Sequence, residues 1–411
     1  MKKKMFAVGL ASLVLTGALL LSGCGNAGNT GVQSGETAAV TVSPAASADS
    51  GIAAAVTESA EYTARDLAQT AEVSEAKALT VSDGETVTVT EAGVYVLGGS
   101  AREAQVVVAA GSEDKVQLVL AGLSITNTDR ACILVRSADK VFLTSAEGSE
   151  NSLTVSGKFS EDEDAAVFSR DDLVLNGLGT VTVSSSKDGI RSNDDLKLTG
   201  GTWLVTASDT ALKAHDSILA WDGSYTLQAG SDGLHAEDND DDTTGSIVID
   251  GGSFAIRAGD DGIHAATAAT VNGGSLTVSA AEGIEAAQVV LNDGDVRIAA
   301  SDDGVNAGKK SKSLSVRIEI NGGSLTIVMG QGDTDGIDSN GDLIITGGTI
   351  TISGQSPFDY DGTCTHTGGT IIVNGVETDT ITNRFGGGRM GGHMGGGMQG
   401  GQSGGFGGKR F

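Results

Sequence analysis

The chain has 411 residues with 62 glycines but only 2 prolines, and Phe, Trp and Tyr together make up 4% of it. The proline content excludes a collagen, and a hydrophobic share of 39% excludes a disordered Pro/Gly polymer. A net charge of −27 excludes nucleic-acid binding through a general basic field, and the cysteine pattern supports neither a disulfide scaffold nor a zinc module.

In chain order, residues 1–24 read as an export signal: Lys2, Lys3 and Lys4 precede an apolar run from Phe6 to Leu21. The run ends in Leu21-Ser22-Gly23-Cys24, which resembles a bacterial lipobox with Cys24 as the lipidated residue. Cleavage there removes three lysines and no acid, taking the net charge from −27 to −30. An exported protein, lipid-anchored and facing the cell exterior, is expected. Residues 25–72 are rich in Ala, Ser, Thr and Gly and read as a flexible stalk, with a short helix possible around Glu58–Gln69. Residues 384–411 form a Gly/Met-rich basic tail, in which Met390, His393, Met394 and Met398 are candidate soft-metal ligands and a disordered tail is the plain alternative.

Residues 73–383 carry an internal repeat. Segments such as Lys187-Asp188-Gly189-Ile190, Asp260-Asp261-Gly262-Ile263 and Asp335-Gly336-Ile337 each lead into an apolar run, a Gly-Gly turn and a further run. The apolar marker, which follows Asp-Gly in the clearest coils, recurs at Ile133, Val167, Ile190, Leu212, Leu234, Ile263, Ile284, Val305, Ile337 and Phe358. Its shorter intervals are 21–23 residues, with longer ones where loops are inserted. Three short strands per period describe one coil of a parallel β-helix, with about ten coils spaced ~4.8 Å apart. Leucine-rich repeats, calcium-binding β-rolls and left-handed β-helices have other signatures. Cys132 and Cys364 fall in the first and last of these coils, roughly 40 Å apart, beyond disulfide reach.

The repeat assigns sides. Trp203, Tyr225, Phe254, Leu276, Val296, Leu325, Ile350 and Ile371 stack inside. Before the Gly-Gly turn stand Asn176, Thr199, Trp221, Asp250, Asn272, Asn292 and Asn321, a polar corner ladder of left-handed residues whose exception, Trp221, is expected to be exposed.

These stretches resemble those of bacterial secreted or lipid-anchored proteins carrying a carbohydrate-binding domain with a pectate-lyase-like right-handed parallel β-helix. The resemblance covers about residues 79–375 and rests on Val119-Leu120-Ala121-Gly122-Leu123-Ser124-Ile125-Thr126-Asn127, Lys187-Asp188-Gly189-Ile190, Asp335-Gly336-Ile337-Asp338-Ser339-Asn340-Gly341-Asp342 and Phe358-Asp359-Tyr360-Asp361-Gly362. It implies an all-β fold, binding of plant-type or acidic polysaccharide, calcium sites and no established catalysis.

Stacking makes neighbours of acids one period apart. Asp188, Asp232, Asp261, Glu282, Asp303 and Asp335 form a column broken at Thr210, doubled by Asp260, Asp302 and Asp333. Two like charges at 4 Å repel by about 1 kcal/mol even in water. Calcium relieves that repulsion with six to eight oxygen ligands, so Asp188, Asp232, Asp260, Asp261, Asp302, Asp303, Asp333, Asp335 and Asp338 are its candidate ligands. A second acidic column runs through Asp171, Asp194, Asp216 and Asp238. Aspartates that only cap turns are the plain alternative.

After the inward marker comes an outward position occupied by Arg191, Lys213, His235, His264, Glu285, Asn306 and Asp338, basic in the N-terminal half and acidic in the C-terminal half. Together with Lys309, Lys310 and the exposed Trp221, the basic members are candidates for gripping a uronate chain. Two insertions, acidic Glu237–Asp242 and basic Lys309–Lys312, leave one corner and could wall a groove. The expected function is non-catalytic, calcium-dependent binding of acidic polysaccharide by a monomer. A calcium-dependent lyase using Arg191 or Lys213 as base and a structural adhesin are the alternatives.

Overall fold

The computed structural model describes residues 61–160, 163–312, 314–331 and 334–383, all within the unit Ala55–Phe411. The signal, Cys24, the stalk up to residue 60, Asp333 and the basic tail lie outside the described residues. Among the described residues, no helix is long and apolar enough to cross a membrane.

Burial alternates along the strands of one face of each coil: Thr202–Ala207 buries Trp203, Val205 and Ala207 and exposes the residues between them. Each coil contributes to three parallel sheets, here A, B and C. Sheet A stacks Asp188–Ser192 on Leu212–Ala214 and then on Leu234–Ala236. Sheet B stacks Leu196–Leu198 on Ser217–Ala220, and sheet C stacks Thr202–Ala207 on Ser224–Ala229. This is a parallel β-helix. Val376–Glu377 alone pairs antiparallel among the described strands.

Every inward marker from Ile133 to Phe358 pairs with the next in unbroken register. The second column, Trp203 to Ile371, does the same in sheet C. Both columns are buried, and Tyr225 stacks on Phe254 with centroids 4.7 Å apart. Sheet A has two rungs before Ile133, because Val87 pairs with Val106 and Val106 with Ile133. Neither rung has the Asp-Gly corner by which the repeat is recognised in the sequence.

The corner ladder forms, with one correction. Asn272 donates to Asp250 (2.7 Å), Asn292 to Asn272 (2.8 Å) and Asn321 to Asn292 (3.0 Å). The left-handed residue is not the asparagine but the second glycine of the turn, as at Gly274 with φ 81°. In the Asp-Gly corner, glycine is needed instead for close approach. A Cβ on Gly283 would meet Gly304 O at 2.3 Å and Ile298 Cγ2 at 2.5 Å. Gly283→Ala is therefore expected to cost about 2–3 kcal/mol, read as an earlier urea transition; an unchanged transition would contradict the corner packing.

Residues 61–71, which composition assigns to the stalk, instead form a strap over sheet B. Thr63 and Asp66 cap a single turn reciprocally: Thr63 N donates to Asp66 Oδ2 (2.9 Å) and Asp66 N to Thr63 Oγ1 (3.2 Å). This turn is all that appears of the helix expected around Glu58–Gln69 among the described residues. Asp66 is fully buried, 3.5 Å from Lys140 Nζ and 3.7 Å from Lys197 Nζ. Gln69 donates to Thr199 O and accepts from Gly177 N, joining the strap to the backbone of two coils. Composition hides the strap because its anchors are single polar residues without periodicity. Cys132 and Cys364 are both free, and burial pushes the Cys132 thiol up to about 12.

Candidate functional site

The outward positions of sheet A make one continuous column. Leu134 pairs with Phe168, Phe168 with Arg191, and the register continues through Lys213, His235, His264, Glu285, Asn306 and Asp338 to Asp359. Its chemistry changes along the stack from apolar, at Leu134 and Phe168, through cationic to acidic.

At the N-terminal end a cleft of about 490 Å³ is lined by Arg130, Arg136, Arg170, Gln105 and Glu163. Its floor includes Leu134, which clusters with Phe168 and Val107 as a second small apolar core. Arg130 pairs with Asp129 (3.0 Å) and Arg170 with Glu163 (2.8 Å), while Arg136 is exposed. Sequence reading missed these arginines because, in the coils of the first two markers, they flank rather than occupy the outward column. Arg191 stands next along the face, with its guanidinium 5.4 Å from the Phe168 ring centroid.

Arg191 is tied to neighbours of its own chain. It lies 3.3 Å from Asp164, 4.0 Å from Asp188 and 3.0 Å from His215 Nε2. As an acceptor of that hydrogen bond His215 is neutral, and burial together with Arg191 lowers its pKa. His235 Nδ1 bonds Asp232 (2.8 Å); His264 Nδ1 bonds Asp261 (2.6 Å) and lies 2.9 Å from Glu285. Lys310 reaches Glu285 at 2.6 Å. His264 is raised to about 10: burial opposes its charge, but the bonds to Asp261 and Glu285 outweigh burial. Glu285 is lowered, because bonds from His264 and Lys310 overcome its burial.

The acidic column divides accordingly. Asp188, Asp232 and Asp261 have Arg191, His235 and His264 beside them and also cap the stack, with Asp188 accepting from Thr210 N (3.2 Å) and Asp232 from Asp261 N (3.1 Å). Among the described residues, Asp303, Asp335, Asp338 and Asp359 form no ion pair, and Asp303 accepts from Asp335 N at 3.1 Å. Burial and the surrounding carboxylates raise Asp338 to about 7 and Asp303 to about 6. Glu282 is raised to about 7 by the same two causes, despite an amide bond from Asn306. Asp260 and Asp302 are exposed beside the column. In the second column Asp194 is raised to about 6 by burial and by Asp172 and Asp216.

Two elements differ from the sequence expectation. The insertions do not wall an open groove: Ser311 donates to Asp242 O at 2.9 Å, so they meet. Lys309 is exposed on that bridge. Trp221 is 43% exposed as expected, but it sits at the corner between sheets B and C, away from the sheet A column, with Tyr62 edge-on at 5.5 Å.

A family model described as carbohydrate-binding domain-containing protein matches residues 83–334. A curated relative of the same description from Acetivibrio thermocellus is 40% identical over 131 residues, covering 30% of this chain. The chain matches 45% of that relative's length. A solved structure described as the polysaccharide lyase-like protein from C. thermocellum, as a gadolinium derivative, is 30% identical. It matches 53% of this chain and 96% of its own, with a TM-score of 0.48.

Proposed function

Because the chain belongs to the carbohydrate-binding domain-containing protein family, we propose that it binds acidic, uronate-containing polysaccharide without cleaving it, with the help of calcium. The observation that carries this reading is the single outward column on sheet A, flanked by arginines at one end and ending at the other in carboxylates without protein cations among the described residues. At the cationic end, the guanidiniums of Arg130, Arg136 and Arg170 around an apolar floor suit a sugar ring bearing a carboxylate. At the other end, Asp303, Asp335, Asp338 and Asp359 repel a polyanion unless a cation intervenes.

Calcium fits that end by donor chemistry, since these side chains offer only oxygen and lack protein cations among the described residues. Asp303, Asp335, Asp338 and Asp359 would hold the ion, whose charge would offset theirs and let a polyanionic chain approach. Asp188, Asp232 and Asp261 already have Arg191, His235 and His264 beside them, so the ion is proposed at the other end of the column. A lipid on Cys24 would hold the domain, as a monomer, at the outer face of the membrane.

Affinity electrophoresis against acidic and neutral polysaccharides tests the reading. Retardation by polygalacturonate and not by neutral glucan is expected, weakened about tenfold by Arg136→Ala, which removes a charged contact. Retention on neutral glycans alone, or the growth of unsaturated-uronate absorbance during incubation, would overturn it.

A further inference from the structure

Where the outward column passes from basic to acidic, two imidazoles stand on successive rungs. His235 and His264 are register partners, and their rings stack nearly parallel, 4.6 Å between centroids at 8°. Each places Nδ1 on the aspartate three residues earlier, Asp232 at 2.8 Å and Asp261 at 2.6 Å. A carboxylate is an acceptor, so Nδ1 carries the proton in both rings and Nε2 is the nitrogen left for another partner. The carboxylate of Glu237, the first residue of the acidic insertion, lies 3.4 Å from His235 Nε2. One donor atom each from His235, Glu237 and His264 falls within 4.8 Å of the other two.

We propose that His235, His264 and Glu237 form a site for a first-row divalent transition metal, of the Zn²⁺ type. Three properties point the same way. Two nitrogens and one carboxylate suit zinc-like ions and disfavour calcium or magnesium, which take oxygen. Two ligands each about 2.1 Å from a tetrahedral ion stand about 3.4 Å apart, the separation found between His235 Nε2 and Glu237. Asp232 and Asp261 do what outer carboxylates do at metal-bound histidines: they fix the tautomer and aim the ring.

The stack itself supplies this preorganisation. The Asp-Gly-apolar-His sequence occurs in two successive coils, so the two Asp–His pairs repeat at the coil spacing. Glu285 beside His264, held by Lys310, closes the next rung, and a ligating atom of each of Asp261, His264 and Glu285 also lies within 4.8 Å of the others. Binding of the ion would displace the Nε2 proton of His264, which Asp261 and Glu285 otherwise keep in place. The site differs from the calcium proposal in ligands, rungs and metal, so either can fail alone.

The test is titration of the EDTA-treated full chain with Zn²⁺ alone, carrying His393→Gln so that the tail imidazole does not compete. With ¹⁵N-labelled histidine, the Nε2 signals of His235 and His264 are expected to move together while those of His215 and His366 stay in place. Glu237→Gln, on an exposed insertion, is expected to weaken binding at least tenfold while leaving the fold intact; His264→Gln is expected to abolish it. Unmoved Nε2 signals at saturating Zn²⁺, or equal affinity in the Glu237→Gln protein, would overturn the assignment.

Discussion

Replacing Asp66 by alanine is expected to cost about 3 kcal/mol in the strap and the coils beneath it, the low end for a broken buried pair, because it removes the carboxylate that two buried lysines share. Lys140 and Lys197 are each only 8% exposed, and Asp66 is the carboxylate they share. Lys140 keeps Asp172 at 3.2 Å, while Lys197 keeps its bond to the Glu61 carbonyl and its contact with the Tyr62 ring. The loss is local, because a solenoid's stability is a sum of neighbour terms. Trypsin cleavage at Arg65, which lies over the Phe142 ring with its centroid 4.5 Å away, is therefore the sensitive readout. Faster cleavage and earlier exchange of the amides around Thr199 are expected in the variant. Protection equal to that of the parent would show that the strap is held by something other than this ion triad.

The second large effect is on stability against pH. Asp338 and Glu282 are raised to about 7 and Asp303 to about 6. A carboxyl whose folded pKa is raised destabilises the fold when ionised. The penalty is absent below the ordinary carboxylate pKa near 4, grows between about pH 4 and 7, and is complete above that. It amounts to on the order of 1–3 kcal/mol per group after screening. The C-terminal coils are thus expected to melt several degrees higher at pH 5 than at pH 8 in EDTA. Calcium should recover that loss at pH 8 and change little at pH 5. A Tm flat across this range, or equal calcium effects at both pH values, would show that the carboxylates are already compensated.

Much of this was legible in the sequence, for a geometric reason. A stacked coil turns spacing along the chain into neighbourhood in space, so marker intervals of 21–34 residues gave a register that holds at every rung from Ile133 to Phe358. The outward column followed from the same register, one residue on. Side-chain pairing was not legible. The spacing places His264 beside Glu285, but not that Lys310 folds back to share that glutamate, nor that Arg191 turns to His215. These contacts decide which aspartates are compensated, and they depend on insertions whose path has no period. The strap is invisible for the same reason, and sequence groups Trp221 with the sugar-binding residues only because exposure does not say which side of the coil a residue occupies.

The most direct measurement is calorimetric titration of the full chain with oligogalacturonate, in calcium and again in EDTA, on the parent and on Asp338→Asn. Binding at least tenfold tighter in calcium, with that gain reduced in the variant, is the predicted result. The same Kd in calcium and EDTA, in both proteins, would contradict it.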